Sequence, residues 1–153
     1  MSIATRLALA LGLGLLPSSM LAPNAAAQGR SPADTKIIEG YQLTMPMLRK
    51  VLPALSAPGA SSCPRDQRDP RALSIAEMAQ MIERCPPMVQ ALRRAGVPSR
   101  EAAIVTASLY RTAEAVALRN GDARAVAPGP LRDNALLMQR NDAELKRLMG
   151  ENQ

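Results

Sequence analysis

Ser74-Ile75-Ala76-Glu77-Met78-Ala79-Gln80-Met81-Ile82-Glu83-Arg84-Cys85-Pro86-Pro87 holds a helix start, a core stripe and an enforced helix end in one unbroken run. Ser74 and Glu77 have the spacing of a capping box, in which each side chain satisfies a free amide of the first turn. Ile75, Met78, Ala79 and Ile82 then recur at the spacing that lines one face of a helix. Pro86 forces Cys85 out of helical conformation, so this helix must stop there. Pro87 can open a short second helix, carried by Met88, Val89 and Leu92 and closed by Gly96.

Helical signals continue in both directions. Upstream, Thr44 can cap a helix whose Leu48, Val51, Leu52 and Leu55 form a stripe, with a kink or early end expected at Pro53. Residues 56–72 are rich in proline, serine and charge and read as a long loop. Residues 28–43 read as a flexible leader, with Ile37 to Leu43 extended or at most a brief turn of helix. Downstream, Ser99 and Glu101 mark the start of the longest helix, ended by Asn120-Gly121, with Ala102, Val105, Leu109, Ala113 and Val116 as its expected buried stripe. After Pro128-Gly129-Pro130, Leu131 to Met149 reads as a last helix with a bend at Asn141, where Asn141-Asp142-Ala143-Glu144 resembles a second capping box. No strand pattern competes. The expected fold is all-α, a small bundle of four or five helices over residues 44–149 with a short tail at 150–153.

The chain opens with Arg6, an unbroken apolar run from Leu7 to Leu16, and a small-residue triplet Ala25-Ala26-Ala27. A run of ten apolar residues is half of the roughly 20 needed to cross a bilayer, so residues 1–27 read as a secretory signal peptide cleaved after Ala27. No cysteine stands near the cleavage point to carry a lipid, and no transmembrane anchor is expected after cleavage. The expected location is periplasmic or extracellular. Removing residues 1–27 from the 153 leaves 126, one small domain.

Export turns the two cysteines, Cys63 and Cys85, into an expected disulfide enclosing 21 residues. Their spacing is far from C-x-x-C, and histidine is absent, which removes the usual zinc sets, haem attachment through C-x-x-C-H, and Ser-His-Asp or Cys-His catalysis. No phosphate-binding glycine loop is present. The nearest carboxylate pairs, Glu77 with Glu83 and Asp142 with Glu144, are explained by capping or point apart on a helix, so the chain reads as no enzyme and no cofactor is called for.

The chain carries 19 lysines and arginines against 13 acids, and only Arg6 of these lies in the signal. A basic exported surface suits a protein partner or an anionic envelope surface, and Arg93, Arg94 and Arg100 gather at one helix junction as the candidate patch. Export and the lack of aromatic stacking platforms argue against nucleic acid. Tyr41 and Tyr110 are the only aromatics, so methionine has to fill core gaps. The alternative use of methionine is soft-metal binding, with Met45, Met47, Met78 and Met81 as thioether ligands for Cu(I).

Two resemblances follow from these motifs. Leu43-Thr44-Met45-Pro46-Met47 is similar in its first two residues to the L-T-x-x-Q motif of exported helical chaperones of the Spy and CpxP group, with Met47 in place of the glutamine. Leu43 to Lys50, Gly96 to Glu101 and Asn134 to Leu148 together resemble the outline of uncharacterised small exported α-helical bacterial proteins. That likeness implies a helical fold and no particular activity. The expected function is non-catalytic binding.

Overall fold

The computed structural model describes residues 30–64 and 66–150. The expected signal peptide and its expected cleavage site, and residues 151–153 of the tail, lie outside the described residues. Seven α-helices are present among the described residues: α1 (Pro32–Gly40), α2 (Met45–Leu55), α3 (Ile75–Glu83), α4 (Pro86–Ala95), α5 (Ser99–Ala117), α6 (Pro130–Arg140) and α7 (Asp142–Leu148). Short 3-10 turns at Ala60–Ser62, Pro70–Ala72 and Ala123–Ala125 complete the described elements, and no strand occurs among them. The fold is all-α, stapled by a Cys63–Cys85 disulfide with 5.3 Å between the α-carbons.

Local chemistry sets most of these ends. At α3 the capping box closes as read: Glu77 N–H donates to Ser74 Oγ at 3.1 Å, and Ser74 N–H donates to the Glu77 carboxylate at 2.8 Å. Thr44 caps α2 by accepting from Met47 N–H, and the helix runs only two residues past Pro53. Gly96, at φ +69°, turns the chain out of α4, a conformation that costs a residue with a β-carbon.

α5 is the hub, packed by α1, α2, α3, α4 and α6, while α2 also lies along α4 and touches α7. The main core joins Ile38 of α1, Leu48 and Val51 of α2, Leu73, Met78 of α3, Leu92 of α4 and Val105 of α5, all fully buried. Ala102, Ala103 and Ala107 let several helices approach α5 closely. A smaller cluster of Ala123, Val126 and Ala135 closes the far end against Val116, Leu131 and Leu136.

Five expectations are corrected. Residues 28–43 are not a flexible leader where described: Ser31 accepts from Asp34 N–H and starts α1, and Ile38 and Leu43 are buried. α1 and the break of the last helix at Asn141 raise the expected four or five helices to seven. Asn141 makes no capping box; its Nδ2 donates back to the Leu137 carbonyl at 2.7 Å, and Glu144 is held by Arg49 instead. Ser99 is not the cap of α5, because Pro98, extended at φ −65° and ψ 148°, occupies that position. The buried face of α5 also differs from the expected stripe: Ala113 is exposed, whereas Ser108 and Thr112 are fully buried. Their hydroxyls donate to backbone carbonyls, Ser108 to Ile38 and Thr112 to Ser108, so burial leaves no orphaned group.

Candidate functional site

Among the described residues, three of the four exposed large apolar side chains are Tyr110 on the C-terminal half of α5, Leu118 just past its end and Met149 just past the end of α7. Between Tyr110 and Met149 runs a hollow. One section, a cavity of about 290 Å³, is walled by Leu52 and Leu55 of α2, Leu109 and Tyr110 of α5, Met138 of α6 and Leu145 of α7. The next section, about 530 Å³, shares Ala113, Met138, Leu145 and Met149 with the first and continues over Val116 and Ala117 to Ala123 and Ala135. The two form one trough.

Its shape follows from side-chain size. The outward positions of α5 carry Ala113 and Ala117, which make a low floor, while Met138 and Met149 are long and unbranched and make adaptable walls. Asp142 is the one charged lining residue of the two sections, and it is paired with Lys146 at 2.8 Å. Such a surface can bury apolar surface of a ligand.

The predicted arginine patch lies elsewhere. Arg93 and Arg94 end α4 and Arg100 sits in the first turn of α5, all exposed at one corner. None of the three has an ion-pair partner among the described residues, whereas Arg49, Arg68, Arg71 and Arg111 all have acids within 2.7 Å or less. Glu83 shares a hollow of about 280 Å³ with Arg93. Arg93 and Arg94 suit a helix C-terminus, but Arg100 opposes the dipole at the start of α5.

Of the predicted thioether set, Met78 is in the core at 1% exposure, Met45, Met47 and Met81 pack against that core, and Met81 also lines a cavity beside the disulfide. Cys63 and Cys85 are bonded as expected.

Two further polar contacts hold the N-terminal segment on the body. Asn134 of α6, fully buried, accepts from Leu43 N–H and donates to the Tyr41 carbonyl, each at 2.8 Å. The Tyr41 hydroxyl donates to Glu101, and burial together with that bond pushes the phenol well above its usual range. Local patterns do not announce the trough, because Leu55, Leu109, Ala113 and Val116 in its lining continue the apolar stripes expected of their helices. The signal available in the sequence is Tyr110, a large apolar residue outside the expected stripe of α5.

Among the described residues no helix is long and apolar enough to cross a membrane. Comparisons with protein-family models, with curated proteins and with solved structures each find no match to this chain.

Proposed function

We propose that this chain is an exported, non-catalytic helical protein that holds an apolar segment of a partner protein in the trough along α5. The observation that carries the reading is the exposure of Tyr110 and Met149 on the walls of a methionine-lined, nearly uncharged hollow. Exposed apolar surface concentrated in one place marks an interaction site, and methionine walls tolerate varied sequences. The N-terminal signal supports delivery to the periplasm or exterior, where an unfolded or exposed apolar segment is the fitting ligand.

The test is binding of a fluorescent, permanently unfolded reporter protein to the purified chain. Tyr110→Ser with Met149→Ser is expected to weaken binding at least tenfold while leaving the thermal midpoint within a few degrees. Equal binding by the double variant refutes the reading.

One observation favours a second contact, to an anionic envelope surface. Arg93, Arg94 and Arg100 are all exposed around the α4–α5 junction, and none of them has an ion-pair partner among the described residues. Sedimentation with vesicles rich in anionic lipid tests it: neutralising all three to glutamine should abolish a salt-sensitive association. Unchanged association at all salt concentrations removes this contact.

A further inference from the structure

A cavity of about 450 Å³ lies where the end of α2 and the loop after it meet the joint between α3 and α4, and four sulfur-bearing side chains line it: Cys63, Cys85, Met81 and Met88. Three of them come from one wall. Met81, Cys85 and Met88 follow at intervals of four and three residues across the α3–α4 joint, and Cys63 reaches them from the facing loop. No lysine, arginine, aspartate or glutamate lines the cavity. The side-chain donors of the lining are two cysteines, two thioethers and the neutral hydroxyls of Ser56 and Ser61, with no carboxylate among them.

We infer that this cavity is a soft-metal site for Cu(I), closed while Cys63 and Cys85 are joined and opened when a dithiol reductant separates them. Thiolate and thioether donors select Cu(I), and a pocket without carboxylates offers little to hard cations. The proposal is independent of the trough, which shares none of these four residues.

Exposure decides the order of events. Cys63 is partly exposed on the loop, whereas Cys85 is 1% exposed at the start of α4. One thiolate of the reductant attacks Cys63 Sγ, forming a mixed disulfide while the Cys63–Cys85 bond breaks and its electron pair leaves on Cys85. The reductant's second thiolate then displaces Cys63, so the reductant departs as a disulfide and two protons are taken up by the cysteines. Cu(I) binding releases those two protons as two metal–thiolate bonds form, with Met81 and Met88 as neutral donors. Cys85 is the N-cap residue of α4 and makes no side-chain capping bond, so its sulfur is not committed to the helix start.

The experiment is an anaerobic titration of the purified chain, reduced with dithiothreitol and freed of it, against the coloured Cu(I)–bicinchoninate complex. The reduced chain is expected to withdraw one equivalent of Cu(I) and the oxidised chain none. Met81→Leu with Met88→Leu keeps the disulfide and the approximate core volume, and is expected to lose at least tenfold in affinity once reduced. Failure of the reduced chain to withdraw Cu(I) overturns the inference. Equal affinity in the double variant also overturns it, because the cavity would then contribute nothing beyond the thiols. So does loss of the helical circular-dichroism signal on reduction, since the arrangement that gathers the sulfurs would be gone.

Discussion

Asn134→Ala is the sharpest test of how the N-terminal segment is held. The side chain clamps residues 41–43 to α6 with two hydrogen bonds of 2.8 Å, one of them fully buried and the other partly so. Truncation leaves Leu43 N–H without a partner inside the protein, at about 2 kcal/mol, and Tyr41 C=O nearer to solvent, at about 1 kcal/mol. The expected loss is therefore about 3 kcal/mol, read from the urea midpoint by far-ultraviolet circular dichroism, with a fall in thermal midpoint of roughly 10 °C. Asn134→Asp separates the two bonds. It keeps the acceptor for Leu43 but faces the Tyr41 carbonyl with oxygen instead of N–H, so it too destabilises at neutral pH. The substituted acid is more stable protonated, which raises its folded pKa, and the penalty should shrink as the pH falls and the carboxyl regains a donor. A loss below 1 kcal/mol for Asn134→Ala would refute the clamp and restore residues 41–43 as a solvated leader.

Other outcomes follow from the same contacts. Ile38→Ala, at 0% exposure, should cost about 3 kcal/mol in urea unfolding, whereas Ile37→Ala, at 39%, should cost less than about 0.5 kcal/mol; similar losses would mean that α1 does not pack as described. Reducing the disulfide, which encloses 21 residues, should remove about 3 kcal/mol without unfolding the chain at 25 °C, as measured by thermal melts with and without reductant. Glu77 is held below its usual 4.5 by the Ser74 amide and by Arg68, so its contribution is present above that value and is lost as pH falls through the lowered one. Stability should therefore be flat above about pH 5, decline below it, and decline less steeply in Glu77→Gln. Ala113→Leu, filling the trough floor, should leave stability unchanged or slightly raised and weaken reporter binding at least tenfold; full binding would count against the trough.

What could be read from the sequence was whatever depends on neighbours along the chain. The Ser74–Glu77 box, the stop before Pro86 and the turn at Gly96 each depend on two to four adjacent residues, and each stands where the sequence placed it, whereas α5 ends at Ala117, short of the expected Asn120-Gly121. The cysteine pairing followed from the expected compartment. α1 escaped although Ser31 and Pro32 spell a helix start, because only Ile38 of its nine residues is buried and much of its anchoring comes from distant partners. Ser108 donates to Ile38 C=O, and Arg111 holds Glu39 at 2.7 Å, contacts that no local pattern announces. The same holds for Ser99 and Asn141, which have cap chemistry but lose the role to Pro98 and to the Leu137 carbonyl. Of the candidate site residues, the two cysteines are bonded to each other as read.

The hollows and the fold share one cause. A chain with no phenylalanine or tryptophan must fill its interior with alanine, branched aliphatics and methionine. Alanine lets helices approach, which suits the N-terminal half of α5, where neighbours cover it on nearly every side. Toward its C-terminal half fewer helices are available, and the same small side chains leave a channel that no aromatic ring is present to close. The cavity at the disulfide repeats this pattern with Ala57, Gly59 and Ala60 opposite two methionines. Packing at native density disfavours unfilled space of this size unless something occupies it or water reaches it. Both hollows open to the surface, so water can stand in them at modest cost, and a ligand that displaces water from methionine and leucine gains by doing so. Composition thus specifies the bundle and, through the volumes it cannot supply, the places where the bundle is able to bind.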